Sequence, residues 1–508
     1  MNTRYIILSA VSMVAMLLAD ISIAPLILHA QSPPTVRTLS LEEALALASG
    51  GSEEIQAARA GVERAEGNQE IARSQFFPQI NLTAGYTRTL LSQYSSVTTP
   101  SIPGNDSTGE GSESFFSDLP FGQKNQYSIG LTLSQVIFAG GRLTAQSDAA
   151  AASRHIADIG LTAAQAQLML DVIQSYYDAV LSDQLVTIAD SSLAQAEEIF
   201  RQTDLAWKVG EKAEYESLRA RVARDNQIPV LLQNRTNRSI AYMRLKQLLN
   251  ISLDDSLNLT SGVGDLNPRF AAAGDTSVDQ RAGVRQAVET INANEAQLRA
   301  AQGERLPQIS LSSRYAPVAY PENIFPSFDD FRNDWTVGIN LSIPIFTGGR
   351  IDGSEKVAQA TLNESQARLR QTREAAALDA RVAQSELAQA EAILASTRST
   401  AEQADRAYQI AGVRFREGIS TQIELADARL LREQALANQA RAQRNMQVAR
   451  VKLALLRDLP LSAGGSAASQ AAQAQQQNQT QSTQSSQAAQ QSAAGQNAVT
   501  GTTTSGGY

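Results

Sequence analysis

Thr336–Arg350 reads TVGINLSIPIFTGGR. Taken two residues at a time, it separates into two faces. Val337, Ile339, Leu341, Ile343 and Ile345 fall on one side, and Thr336, Gly338, Asn340 and Ser342 on the other. That alternation predicts a strand with one apolar and one polar face. It ends in Gly-Gly-Arg and opens onto a long stretch without proline. Ser128–Arg142, SIGLTLSQVIFAGGR, repeats the pattern, with Ile129, Leu131 and Leu133 opposite Ser128, Gly130, Thr132 and Ser134. The chain is duplicated, and this strand-to-helix joint is its best-preserved part.

The rest of each repeat follows from the joint. Upstream, Phe77-Pro78-Gln79-Ile80 matches Leu306-Pro307-Gln308-Ile309. Each proline stops a preceding helix, because it lacks an N–H and drives its predecessor into extended geometry. A second alternating strand follows in each half: Ile80, Leu82, Ala84 and Tyr86, then Ile309, Leu311, Ser313 and Tyr315. Residues 90–125 and 316–333 read as loops, the first long and rich in Ser, Gly, Thr and Pro. Downstream, Arg142 to about Trp207 reads as one helix, roughly 100 Å long at 1.5 Å per residue. Its seam is Ile156, Ile159, Ala163, Ala166, Leu170, Ile173, Tyr177 and Val180, a coiled-coil spacing. Gly210 breaks it and a return helix runs to Leu249, kinked at Pro229. The second repeat does the same, with Gly418 at the break. Gly140 and Gly348, Gly210 and Gly418, and Leu245 and Leu453 are each 208 residues apart. No insertion is needed to keep the repeats in register across two long helices and their turn, which implies that the reach of each hairpin matters.

The expected organisation is a signal peptide over 1–30, an N-terminal segment and first helix over 31–75, and a β-hairpin over 76–139. A helical hairpin follows over 140–250, then a connector, read as irregular, over 251–278. The second repeat supplies a helix over 279–304, a β-hairpin over 305–347 and a helical hairpin over 348–458. A tail without charged residues occupies 459–508 after Asp458 and cannot bury a core. Ser40 and Glu43 fit a capping box that starts the first helix. Arg4, the apolar run Tyr5–Leu18 and Leu28-His29-Ala30 have the layout of an export signal. A retained anchor is the alternative, although Asp20 and Pro25 interrupt the apolar run. No other stretch is expected to span a membrane as a helix.

Composition excludes several classes. Among 508 residues there is no Cys, which rules out disulfides, Cys-based zinc sites and thiol nucleophiles, and only two His. The net charge of −8 and pI of about 5.2, without a basic block, disfavour nucleic acid. HExxH, GxSxG and dinucleotide fingerprints are missing, so an enzyme ranks last and no cofactor or metal is expected. Gly140-Gly141 and Gly348-Gly349 lack the lysine of a phosphate loop.

Strands of about ten alternating residues have the length of a transmembrane β-strand, and an aqueous lumen would explain the polar face. A half-buried sheet in a soluble protein gives the same alternation. The export signal and the lack of an apolar layer to cover the sheet favour lipid. Tyr86, Tyr315 and Trp335 then stand where interfacial aromatics would. Four strands cannot close, and lipid tolerates no open edge, so several chains must share one barrel.

The chain resembles the TolC-type outer-membrane efflux proteins over about residues 38–460. The matching features are SLEEALALA, FPQI and LPQI, IFAGGR and IFTGGR, and the tips WKVGEKAEYESLRAR and FREGISTQIELADAR. The resemblance implies an α+β membrane protein of four transmembrane strands and two long coiled-coil hairpins per chain. Three chains would form a 12-stranded barrel and a periplasmic helical tunnel. Its implied partners are the two sister chains, outer-membrane lipid, a periplasmic membrane-fusion adaptor and an inner-membrane RND or ABC transporter. It implies a passive exit duct for drugs, small molecules or secreted proteins. The competing reading is a periplasmic coiled-coil adaptor or scaffold, which would carry one hairpin rather than two.

The resemblance also carries residues over. Glu424 and Asp427 match two acids that ring the closed entrance, Glu216 a third, and Phe415 stands where a gate tyrosine would be. Ser420 replaces an arginine that latches neighbouring hairpins, so that latch is absent, and Arg414 or Arg416 is the expected substitute. A solvated helix face is the ordinary origin of an acid pair spaced like Glu424 and Asp427. Lys208, Val209, Gly210 and Glu211, with Arg416, Glu417, Gly418 and Ile419, form the expected adaptor-docking tips.

Overall fold

A computed structural model of the chain describes residues 36–90, 125–264, 270, 274–321 and 324–461. The expected signal segment, most of the 90–125 loop and nearly all of the tail lie outside the described residues. In order, the elements are β1 (Val36–Leu39), α1 (Leu41–Gly51), α2 (Glu53–Ser74), β2 (Gln79–Arg88) and β3 (Asn125–Ala139). The first long hairpin follows as α3 (Arg142–Lys208), α4 (Glu214–Asp225) and α5 (Gln227–Leu248). After β4 (Ser256–Leu259) come α6 (Ala282–Gly303), β5 (Gln308–Tyr315), β6 (Val318–Ala319), β7 (Phe331–Arg332) and β8 (Trp335–Ser342). The chain closes with α7 (Arg350–Arg416) and α8 (Gln422–Ala454).

The repeat is visible in element lengths. Helices α3 and α7 each have 67 residues, and α2 and α6 each have 22. A 67-residue helix is about 100 Å long. Both long helices start after a Gly-Gly pair with positive φ: +61° and +78° at Gly140 and Gly141, +62° and +83° at Gly348 and Gly349. At Gly140 close approach adds to the backbone requirement, since a Cβ there would stand 2.5 Å from the Gly303 carbonyl oxygen.

The four long strands form one antiparallel sheet in the order β2-β3-β5-β8. Its register sets apolar residues opposite one another: Leu82 faces Leu131, Leu131 faces Tyr315, and Tyr315 faces Trp335. Among the described residues no helix covers this face: Leu82 is 71% exposed and Trp335 73%. Strands β2 and β8 each keep one open edge among the described residues. A bulge interrupts β3 between Val136 and Phe138.

The core lies midway down the helices. Leu39, Leu41, Ile55, Ile173, Tyr176, Tyr177, Leu245, Val263 and Val451 pack there. Of the expected seam, Ala166, Leu170, Ile173, Tyr177 and Val180 are buried. The Tyr176 hydroxyl donates to the Leu39 carbonyl (3.1 Å) and accepts from the Ser261 N–H (3.0 Å), tying β1 and the connector to the middle of α3. Ser40 and Glu43 form the expected capping box, with bonds of 3.3 and 2.9 Å. A second tie is fully buried. Arg281, at the start of α6, donates to Asp379 of α7 at 2.5 Å.

Several expectations are corrected. Residues 251–278 are not wholly irregular, because β4 pairs in parallel with β1. Four-residue strands are too short for alternation to announce them. The 316–333 loop contains the β6–β7 pair, which extends onto β3. Strand β8 ends at Ser342, leaving Ile343 and Ile345 outside it, since Pro344 has no N–H to donate to a ladder. The return helix after Gly210 is broken at Asn226, between α4 and α5. Pro229 explains the break, because its ring crowds the carbonyl four residues earlier, at Asp225. The equivalent position in the second repeat is Ala437, and α8 runs straight through it. One 18-residue window of α3 does reach a mean hydropathy of 1.3, although no such helix was expected. Burial in the core accounts for part of it, since 28% of that window is buried.

Tyr176→Phe leaves the half-buried Ser261 N–H without its partner, whereas the Leu39 carbonyl keeps the Thr260 N–H at 3.1 Å, so the expected loss is about 1 kcal/mol. Asp379→Ala strands a buried guanidinium and is expected to cost about 3–5 kcal/mol. Arg281→Met combined with Asp379→Leu removes both charges and should recover most of that loss. Chemical unfolding of the detergent-solubilised protein, followed by helical circular dichroism, checks all three.

Candidate functional site at the hairpin tips

The two hairpin tips are built alike. Helix α3 ends at Lys208, Gly210 has φ +82°, and α4 starts at Glu214. Helix α7 ends at Arg416, Gly418 has φ +72°, and α8 starts at Gln422 with Thr421 as its cap. The left-handed glycine lets each chain reverse within a few residues. Val209 and Ile419 project from the turns with 63% and 68% exposure. Glu211, Glu417 and Arg416 are also exposed. Such tips offer a small apolar point with charges around it.

The first tip is held from within. Lys208 pairs with Asp204 at 2.6 Å, and the Ser217 hydroxyl donates to Asp204 across the turn at 3.1 Å. The Lys208 hydrogen bond, with Ser217 adding to it, holds the Asp204 carboxyl below the usual carboxylate range. A depressed carboxylate pKa contributes stability above its unfolded value, and that contribution is lost as pH falls through the lowered value. Acidification should therefore loosen this turn.

The expected gate residues sort into two groups. Lys212 lies 4.4 Å above the Phe415 ring and 3.7 Å from Glu216, joining the first hairpin to the second. Phe415 and Glu216 thus meet through Lys212. Arg414 pairs with Glu424 at 3.2 Å inside the second hairpin. Both partners are about half exposed, so the pair is worth about 0–1 kcal/mol. Asp427 is exposed and makes no ion pair among the described residues. Of the two arginines expected to replace the missing latch, Arg414 reaches an acid, whereas Arg416 donates to the Gly412 carbonyl. The Ser420 hydroxyl is enclosed without a hydrogen-bond partner, and its N–H donates to the Arg414 carbonyl at 3.3 Å.

Farther up the hairpins lies a cluster that sequence reasoning missed. Arg429 of α8 is only 6% exposed and donates to the Ser192 carbonyl of α3 at 3.4 Å. The Ser192 hydroxyl donates to Glu433 at 2.9 Å. The available signal was an arginine set where a small seam residue would otherwise sit. At the other end of the molecule, the Tyr86 hydroxyl donates to Asn125 and that of Tyr315 to Asn333, while the Trp335 indole donates to Ser313. All three rings lie on the exposed apolar face.

A lipid-length sheet, exposed on its apolar side and continued by two hairpins of about 100 Å, defines an outer-membrane channel of the barrel-and-tunnel class. The family model described as "Outer membrane efflux protein" matches residues 44–250 and 275–457, and the chain belongs to that family. It is an outer-membrane protein. The outer membrane efflux protein BepC of Brucella suis biovar 1 (strain 1330) is 24% identical over 331 residues, 65% of this chain and 65% of that protein. The pyoverdine export outer membrane protein OpmQ of Pseudomonas putida is 22% identical over 418 residues, 81% and 84% of the two chains. Among solved structures, CusC has the same fold, with a TM-score of 0.67 and 16% identity over 83% of this chain and 92% of its own.

Lys212→Met removes the cation over Phe415 and the partner of Glu216. The cation–ring contact is worth about 0.5–1 kcal/mol at an exposed site. A spin label at Val209 is expected to become more mobile in that variant, and also in the parent below the carboxylate range.

Proposed function

We propose that the protein is the exit duct of an export machine, with three copies closing one barrel and continuing as a periplasmic tunnel. The single observation that carries this reading is the open sheet. Its apolar face is exposed, its outer edges are unpaired, and lipid tolerates neither an edge nor an uncovered polar backbone. The polar face, with Asn81, Thr83, Thr132, Asn340 and Ser342, calls for water inside. Two copies would give about eight strands, a size that side chains fill, whereas three leave an aqueous lumen.

In such a ring the tips converge, and Glu424, Asp427 and Glu216 come to surround a narrow axis. Like charges at a constriction attract cations and resist anions. The contacts holding the tips, Arg414–Glu424 and Lys212–Phe415, are at least partly exposed and individually weak. A gate built from them yields to a modest force. The exposed turns Lys208–Glu211 and Arg416–Ile419 suit docking by an adaptor's helical hairpin. The adaptor would couple the duct to an RND or ABC pump in the inner membrane. Passage itself needs no catalytic group.

The native mass of protein extracted in detergent from purified outer membranes tests the ring. Three chains are expected, and a soluble single chain in the periplasm overturns the reading. In planar bilayers, Glu424→Gln with Asp427→Asn is expected to lower cation preference and weaken block by divalent ions. Unchanged selectivity removes both acids from the constriction. Ser420→Arg restores a cation beside the acids and is expected to reduce conductance.

A further inference from the structure

The internal duplication makes one lateral interface visible and leaves its counterpart open. At every level the chain has the same lateral order. In the sheet it is β2-β3-β5-β8. Above the core, α2 packs on α3, α3 on α6 and α6 on α7; below it, α5 packs on α3, α3 on α8 and α8 on α7. The free flanks are therefore β8 with α7 on one side, and β2 with α2, α4 and α5 on the other. The exposure of repeat-related residues reflects this. Leu170 of α3, with neighbours on both sides, is 7% exposed, whereas Leu378, 208 residues later in α7, is 62% exposed.

We propose that these flanks bind each other between copies, in the register that β3–β5, α3–α6 and α3–α8 already show within one chain. This rests on the ring proposed above and adds its residue-level contacts. The offset is 208 residues from β3 and α3 to β8 and α7, and from α8 to α4 and α5. It is 229 residues from α2 and β2 to α6 and β5, whose starts are Glu53 and Ala282, Gln79 and Gln308.

Three sites support it independently. In the sheet, Ser134 faces Ser312 and Leu133 faces Ser313. The offsets set Ser342 opposite Thr83 of the next copy, and Leu341 opposite its Ala84, keeping polar with polar and apolar with apolar. A slip of one residue would reverse that. In the same register Ile343 meets Leu82 and Phe346 meets Ile80 of the next copy, covering side chains that are at least half exposed in one chain. Pro344 and Ile345 fall where β3 bulges at Val136 and Ile137, a place that tolerates proline.

Among the upper helices, Asp148 of α3 pairs with Arg299 of α6 at 3.0 Å. The equivalents are Lys356 and Glu70: the signs are exchanged and complementarity is kept. Both are exposed, and neither makes an ion pair among the described residues. In the lower helices, the counterparts of Arg429, Glu433 and Ser192 are Arg221, Asp225 and Thr400. Each keeps its chemical type. The first cluster is assembled within one chain, whereas the second is divided between the two free flanks, with Arg221 and Asp225 on α4 and Thr400 on α7. One difference is local. Ser74 stands where Gly303 packs against Gly140, so that corner must be wider by a Cβ.

The chain has no cysteine, which gives a clean background for crosslinking. Directly opposed strand residues have Cβ atoms about 4.5–5.5 Å apart and diagonal ones about 7–8 Å, so a disulfide discriminates between registers. Ser342→Cys with Thr83→Cys, oxidised with copper phenanthroline in outer membranes, is expected to link most chains into dimers and trimers on a denaturing gel. Ser342→Cys with Asn81→Cys should link only a minor fraction. The reverse pattern, at a native mass of three chains, overturns the register and leaves the ring standing. A native mass of one chain overturns both. Lys356→Glu or Glu70→Lys alone is expected to lower the temperature at which the oligomer dissociates, and the double exchange to restore it. Failure of that rescue overturns the upper-helix contact.

Discussion

A strand in hydrocarbon cannot leave backbone N–H and C=O groups without partners, because no water is present to accept the loss. Much of the architecture follows from meeting that condition with four lipid-length strands among the described residues. The strands pair with one another at three seams and leave β2 and β8 open at the outside. In the proposed ring, closing the sheet therefore falls to other copies. The same requirement extends downward, because each long strand continues through a glycine joint into a helix of 67 residues. The order of strands in the sheet then fixes the order of helices beneath it.

Stability and movement are divided along those helices. Near the middle, contacts are buried and specific: Tyr176 bridges two backbone groups, Arg281 meets Asp379, and aliphatic residues of both repeats share one core. Toward the tips, burial falls and the contacts become exposed ion pairs and a cation over a ring. Exposed pairs contribute little because water screens them and long side chains lose freedom in making them. A molecule with a rigid waist and weakly held ends can change shape at its ends without unfolding. In the proposed duct, the entrance lies at those ends.

Duplication has left the two repeats similar in length and different in chemistry. Pro229 breaks the first return helix, whereas Ala437 leaves the second straight. Pro344 ends β8, whereas β3 continues through Val136 to Ala139. Geometry set by element length is preserved, while local side-chain contacts are free to diverge.

The sequence by itself determined the elements that depend on local period. Alternation located the four long strands, the 3-4 spacing located the buried seam of α3, and Gly-Gly and Pro marked the joints. The 208-residue spacing made the duplication legible before any coordinates, while the roles expected of Glu216, Phe415, Ser420, Glu424 and Asp427 came from the resemblance of the tip motifs alone. Contacts between residues far apart in the chain were decided only by the tertiary structure. These include the parallel β1–β4 pair, the Arg281–Asp379 bond across 98 residues, and the Arg429 cluster across more than 200. They also include Lys212 joining Glu216 to Phe415, and the identity of the flank that α7 leaves open. The reason is physical. A period of two or 3.6 residues fixes which face of an element is apolar, but not which distant element covers it. That choice belongs to the packing of the whole chain and, in the proposed ring, at the two open flanks, to a neighbour outside it.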